Sequence, residues 1–137
     1  MLPFRDPAKL TVLIVDDDPT MLEYLERLVR SEGFKVETAA DGLEFVKKMR
    51  DILPAAAVAD LMLPKYGGLE MVRELRRGTT EKIRLVIVTA RYTSPEDRAT
   101  LQQEANVAAY FEKPFDSADF VRAVHIACGT TRTPFKK

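Results

Sequence analysis

The stretch LTVLIVDDDP, Leu10 to Pro19, decides how this chain folds. Leu10 to Val15 is mostly apolar and does not alternate with polar residues. A short apolar run closed by a turn signal reads as a strand buried on both faces, as in a parallel sheet. The aspartates and the proline then change the structure within a few residues. Asp18 is a good helix N-cap, and Pro19 takes the first helical position, where its missing N–H costs nothing. Leu22, Leu25, Leu28 and Val29 form one helical stripe beyond it, and Gly33 follows as the residue after the cap. A buried strand that feeds a capped helix is the repeating unit of an α/β fold.

The same alternation runs outward to residue 129. Phe34 to Thr38 reads as a second strand. Asp41 caps a helix whose inward residues are Phe45, Val46 and Met49, and Pro54 ends it. Ala55 to Ala59 is a third strand, despite the poor strand propensity of alanine, because the alternation requires one there. Asp60 to Gly68 is a loop marked by Pro64 and two glycines. A third helix is expected from about Leu69 to Arg77, with Leu69, Val72 and Leu75 on one face. Ile83 to Thr89 is the fourth strand. Ser94-Pro95-Glu96-Asp97 opens a fourth helix with a thin apolar stripe of Ala99, Leu101 and Ala105, which Asn106 is expected to end in the left-handed conformation. Val107 to Phe111 is the fifth strand. Asp116 caps the last helix, with Phe120, Val121, Val124 and Ala127 inward and Gly129 at its end. Five strands alternating with five helices predict a doubly wound parallel sheet with right-handed crossovers.

The composition agrees with one globular domain. The chain has 137 residues, 46% of them hydrophobic, enough for a core without staples. The 21 basic and 21 acidic side chains cancel, so no general attraction to nucleic acid or an anionic membrane is expected. The apolar runs are far shorter than the roughly 20 residues of a membrane span, and Met1 to Lys9 lacks the apolar stretch of a signal peptide. One cysteine, Cys128, excludes an internal disulfide and favours a reducing, cytoplasmic location. Cys128 reads as packing filler, and the single histidine, His125, as a surface or packing residue. Residues 1–9 read as an N-terminal extension, 10–129 as the domain, and 130–137 as a basic tail or linker stub.

Ligands of doubly wound sheets bind beyond the carboxyl ends of the strands. There the first strand ends in Asp16, Asp17 and Asp18, the third in Asp60 and the fourth in Thr89, while Lys113 follows the fifth. Two carboxylates about 4 Å apart repel by roughly 4 kcal/mol at an effective dielectric of 20. Clustered carboxylates therefore raise a pKa or recruit a cation, and hard oxygen donors with open coordination suit Mg²⁺. Lys113 adds a second positive charge, Thr89 a hydroxyl for an oxyanion, and Ala90 leaves room for one. Such a set suits phosphoryl transfer to a carboxylate nucleophile.

The segments VLIVDDDP, ADLMLPKYGGLEMV, LVIVTA and YFEKPF, in that order and spacing, resemble the receiver domain of bacterial two-component response regulators. The likeness covers Leu10 to Cys128. It implies a flavodoxin-like sheet of strand order 2-1-3-4-5. It implies that Asp60 accepts the phosphoryl group, and that Asp16, Asp17, Asp60 and the Met62 carbonyl hold Mg²⁺. Thr89 matches the switch hydroxyl, Lys113 the lysine that pairs with the phosphoryl group, and Tyr110 the aromatic switch. The Lys113–Pro114 bond is expected to be cis. Met62 and Arg91 match positions that tune water access to the acyl phosphate, and their bulk implies slow autodephosphorylation. The implied partners are a histidine kinase or phosphotransfer protein, and a downstream protein target or an output domain. A homodimer strengthened by phosphorylation is also within the family's habit.

The chain departs from the family pattern at Gly67, at Asn106 and in the alanine-rich third strand, none of them assigned to the chemistry. Two other functions compete. A phosphate-independent interaction module would usually have lost an acid, the threonine or the lysine, and all are present. A phosphohydrolase with an aspartyl-phosphate intermediate commonly has a second aspartate where Met62 stands.

Overall fold

The computed structural model describes residues 5–63, 66–90 and 94–130, so Pro64, Arg91 and most of the tail lie outside the described residues. Five parallel strands form one sheet: β1 (Thr11–Val15), β2 (Lys35–Ala39), β3 (Ala56–Ala59), β4 (Arg84–Thr89) and β5 (Val107–Glu112). Their order is β2-β1-β3-β4-β5, as the doubly wound reading requires. Five helices connect and flank them: α1 (Pro19–Ser31), α2 (Gly42–Ile52), α3 (Gly68–Glu74), α4 (Pro95–Gln102) and α5 (Ser117–Cys128).

The apolar character of β1 beyond Thr11 is explained by helices on both faces. Leu13 and Val15 join a layer with Phe45 and Met49 of α2, Met71 and Val72 of α3, and Leu101 of α4. Val12 and Ile14 face the other way, onto Leu25 and Val29 of α1 and Phe120 and Val124 of α5. Ala57 and Ala59 of β3 sit fully buried between β1 and β4. Small side chains there leave room for the larger residues of the covering helices. Cys128 fills the second layer as expected, and burial pushes its thiol up to about 12.

The expected helix starts are observed. Asp18, Asp41, Ser94 and Asp116 each accept a backbone N–H of the first turn. Two helix ends differ from expectation. α3 stops at Glu74 rather than near Arg77, because Arg76 and Arg77 bond back three residues, to Arg73 and Glu74. Gly78 then takes φ 69°, and the Thr80 hydroxyl donates to the Leu75 carbonyl at 2.6 Å. α4 stops at Gln102, and Asn106 does not end it in the left-handed conformation. Gln103 and Glu104 close the helix with bonds three residues back. Asn106 is instead buried, and its side-chain amide donates to the Val72 carbonyl of α3. Among the described residues the left-handed non-glycine position is Leu53, the cap of α2, at φ 51°. His125 is half-buried, as a packing residue would be. Its ring nitrogens lie 2.6 Å from the Thr130 hydroxyl and 2.8 Å from Glu32, and Phe34 packs on the ring.

Candidate functional site

Parallel strands deliver their carboxyl ends to one edge, and the hydrogen-bond ladder sets their heights. The Asp60 N–H donates to the Val15 carbonyl at 3.1 Å, which places Asp60 beside Asp16. The Lys113 N–H donates to the Thr89 carbonyl at 2.7 Å, which brings the turn after β5 to the end of β4. The Lys113–Pro114 bond is cis.

The side chains converge on Asp60. Its carboxylate is 5% exposed and accepts three donors. Oδ1 receives the Met62 backbone N–H at 2.9 Å and faces the Thr89 hydroxyl at 3.4 Å, a long contact for an O–H···O pair. Oδ2 receives the Lys113 ammonium at 3.2 Å. The same ammonium donates to Asp16 Oδ2 at 2.8 Å, so it bridges the two buried carboxylates. Asp16 Oδ1 accepts the Asp18 N–H, while the Asp18 side chain turns away to cap α1 through Thr20. The third aspartate thus serves the helix, and Asp17, exposed, completes the acidic group.

Burial raises the Asp16 carboxyl above its ordinary range, and Asp60 adds to this, against the opposing Lys113 and Asp18 bonds. For Lys113, burial alone would lower the ammonium. The bond to Asp16 and the charges of both aspartates outweigh it and hold the group above its usual value.

Asp16, Asp17 and Asp60 each offer an oxygen, and these atoms lie within 4.8 Å of one another. When ionised, three carboxylates against one ammonium leave two negative charges, two of the carboxylates being buried and Asp17 exposed. Hard oxygen donors with that residual charge fit a divalent ion such as Mg²⁺.

Thr89 is fully buried with its hydroxyl toward Asp60. Met62 contributes its amide to the site, and the residue is 51% exposed. Tyr110 packs against the α2–α4 layer. Its hydroxyl is buried without a hydrogen-bond partner among the described residues. Arg91 lies outside them. The Met62 amide was not foreseen, because a backbone donor carries no signature in the residue type.

The model of the response regulator receiver domain matches residues 12–125. The chain is 38% identical to the response regulator MprA of Mycobacterium tuberculosis over 104 residues, which is 76% of this chain and 44% of MprA. It thus spans less than half the length of that curated relative. Among solved structures it is similar to a CheY-like response regulator receiver domain protein of Methanospirillum hungatei, with 27% identity and a TM-score of 0.77 over 85% of this chain and 91% of that one. It is equally similar to the receiver domain of the sensor histidine kinase PA1611 of Pseudomonas aeruginosa, with 27% identity and a TM-score of 0.77 over 88% of this chain and 98% of that one. That structure holds a magnesium ion in its active-site cleft. With the sheet order, the strand-end residues and the family match in agreement, the chain belongs to the response regulator receiver domains.

Proposed function

We propose that the chain accepts a phosphoryl group on Asp60 and relays its charge state to a protein partner. The observation that carries this reading is the setting of the Asp60 carboxylate: buried, bridged to Asp16 by Lys113, and faced by the Thr89 hydroxyl. One Asp60 oxygen attacks the phosphorus of a phosphohistidine on a histidine kinase or phosphotransfer protein. The O–P bond forms as the P–N bond breaks, and the electron pair leaves with the donor imidazole, which takes a proton. Asp16, Asp17, Asp60 and the Met62 carbonyl would hold Mg²⁺, which neutralises phosphoryl charge when bound. Lys113 exchanges its carboxylate partner on Asp60 for a phosphoryl oxygen. The Thr89 hydroxyl donates to another, and Tyr110 follows the space that Thr89 vacates.

The face made by α4, β5 and α5 is the part proposed to respond. α4 buries only Leu101 among its residues, so little apolar contact opposes its displacement. The reader of that face is a downstream protein or an output domain, in the cytoplasm. Residues 10–129 form the signalling unit, with 1–9 as an extension and 130–137 as a tail or linker stub. The exposed bulk of Met62 supports slow autodephosphorylation, and dimerisation is expected to strengthen on phosphorylation. The domain modifies itself and turns over no external metabolite.

The test is intact mass spectrometry after incubation with acetyl phosphate, with and without Mg²⁺, beside Asp60→Asn. A metal-dependent gain of one labile phosphoryl group in the parent alone is the expected result. Equal modification of the variant, or none in either protein with metal present, overturns the reading.

A further inference from the structure

The amino-terminal edge of the sheet, opposite Asp60, has a character of its own. A cleft of about 400 Å³ opens there, lined among others by Arg5, Lys9, Ile52, Leu53, Pro54 and Lys82. Lys35 and Arg84, exposed at the first positions of β2 and β4, lie along the same edge. Lys9, Lys35, Lys82 and Arg84 form no ion pair among the described residues, and the Arg5 guanidinium spends one N–H on the Cys128 carbonyl. The carboxylates near in sequence do not offset this charge fully. Asp51 pairs with Lys47, which leaves Asp6, still charged as it caps the Ala8 N–H, and the exposed Glu81 against these basic groups. The chain as a whole has no net charge, so this basic edge is a local arrangement.

The cleft also carries aliphatic side chains beside its basic ones. Ile52 and Leu53 are 36% and 49% exposed at its rim. Leu53 holds its side chain there at φ 51°, a backbone region costly to leucine and cheap for glycine. A left-handed helix cap alone would not call for an aliphatic residue.

We propose that this edge docks an acidic peptide segment of a partner protein, with an aliphatic side chain of that segment seated against Ile52 and Leu53. Charge complementarity selects the partner, and the cleft selects its anchor. The other anionic surfaces fit less well. Among the described residues no aromatic side chain lines the cleft, so they offer a nucleobase no stacking platform. The concave shape also suits an inserted side chain better than a flat bilayer.

Fluorescence anisotropy on the full chain tests this at low salt, with a labelled peptide of alternating glutamate and leucine. Polyglutamate of equal length, phosphatidylserine vesicles and duplex DNA are the comparison probes. The expected result is saturable binding of the glutamate–leucine peptide, about tenfold tighter than polyglutamate. Lys9→Glu with Lys82→Glu should weaken it about tenfold, and Leu53→Gly about threefold. Asp60→Asn should bind as the parent does, which separates this surface from the phosphoacceptor site. Leu53→Gly suits its own backbone angle, so its affinity is read on a folded chain even where the charge reversals lower the melting temperature. No saturable binding, equal binding of polyglutamate, tighter binding to vesicles or DNA, or unchanged affinity in Leu53→Gly each overturns the proposal.

Discussion

Tyr110 shows how a single atom can work against the state it belongs to. Its ring packs on the layer beneath α2 to α4, while its hydroxyl is buried with no partner among the described residues. A buried hydroxyl without a bond costs about 1–3 kcal/mol, and removing it leaves the ring's packing intact. Tyr110→Phe should therefore stabilise the protein by about 1 kcal/mol in urea unfolding. A loss of stability would mean that the hydroxyl is satisfied. Cys128 gives the opposite case, a group that suits its burial. Its thiol is raised from an ordinary 9.0 to about 12 because the thiolate would lose hydration. The sign follows from proton binding. Between these values the folded chain keeps a proton that the unfolded chain has lost, so stability falls as pH rises. The benefit is complete below pH 9.0 and disappears as pH climbs toward 12. Melting temperatures should thus decline more steeply above pH 9.0 in the parent than in Cys128→Ala. At neutral pH a thiol reagent should label Cys128 only as fast as the protein opens.

The elements differ in what holds them. α1 and α5 each bury residues on consecutive turns, Leu25 with Val29 and Phe120 with Val124. α4 buries Leu101 alone, and its neighbouring contacts are polar. Arg98 pairs with Glu112 of β5, and just beyond its end Glu104 receives Arg73 and Arg76 from the α3 side. Arg73 and Arg76 are 55% and 46% exposed and Arg98 34%, so solvent screens these pairs, although Glu104 itself is only 9% exposed. Hydrogen exchange should accordingly find α4 amides opening well before those of α5, by local rather than global unfolding. Equal protection of the two helices would remove the argument that α4 is the easily displaced element. The same contrast explains what the residue order reveals. The starts of α1, α2, α4 and α5 are legible because a cap acts on N–H groups within its own turn, as Asp18 does on Thr20. The ends of α3 and α4 are not, because distant partners set them. Thr80 reaches back to Leu75, and Asn106 is drawn to Val72 across 34 positions. Leu53 was invisible for another reason: nothing local marks a leucine as left-handed. The strand-end residues were legible because a parallel sheet brings them to one edge. The Met62 amide and the inward Tyr110 hydroxyl depend on backbone and rotamer, which residue types do not encode.

At the scale of the whole molecule, the cluster of charge at one sheet edge ties folding to metal. Without a divalent ion, Lys113 is the cation among the described residues that bridges the buried Asp16 and Asp60, with Asp17 close by. Folding must bring these carboxylates together, so the metal-free protein carries their residual repulsion. A ligand that binds only the folded chain stabilises it by about 2.7 kcal/mol at a concentration one hundred times its Kd. For a chain of this size that is a rise in Tm of about 10 °C. Mg²⁺ should produce such a rise in the parent, and the variants should separate by sign. Asp17→Asn and Asp60→Asn each remove one excess negative charge. Both should melt no lower than the parent without metal and gain much less when it is added. Lys113→Met removes the one balancing cation. It should melt several degrees lower without metal, by roughly 1–3 kcal/mol for the uncompensated buried carboxylates, and recover part of the loss as Mg²⁺ is added. Thermal unfolding of the four proteins across a magnesium series measures all of these together. A full Mg²⁺ shift retained in Asp60→Asn would place the ion elsewhere. Unchanged metal-free stability in Lys113→Met would mean that the carboxylates do not repel one another in the folded chain. The crossing of the curves is what identifies the site, since a simple loss of packing lowers every melting temperature and cannot reverse the order of parent and variant when metal is added.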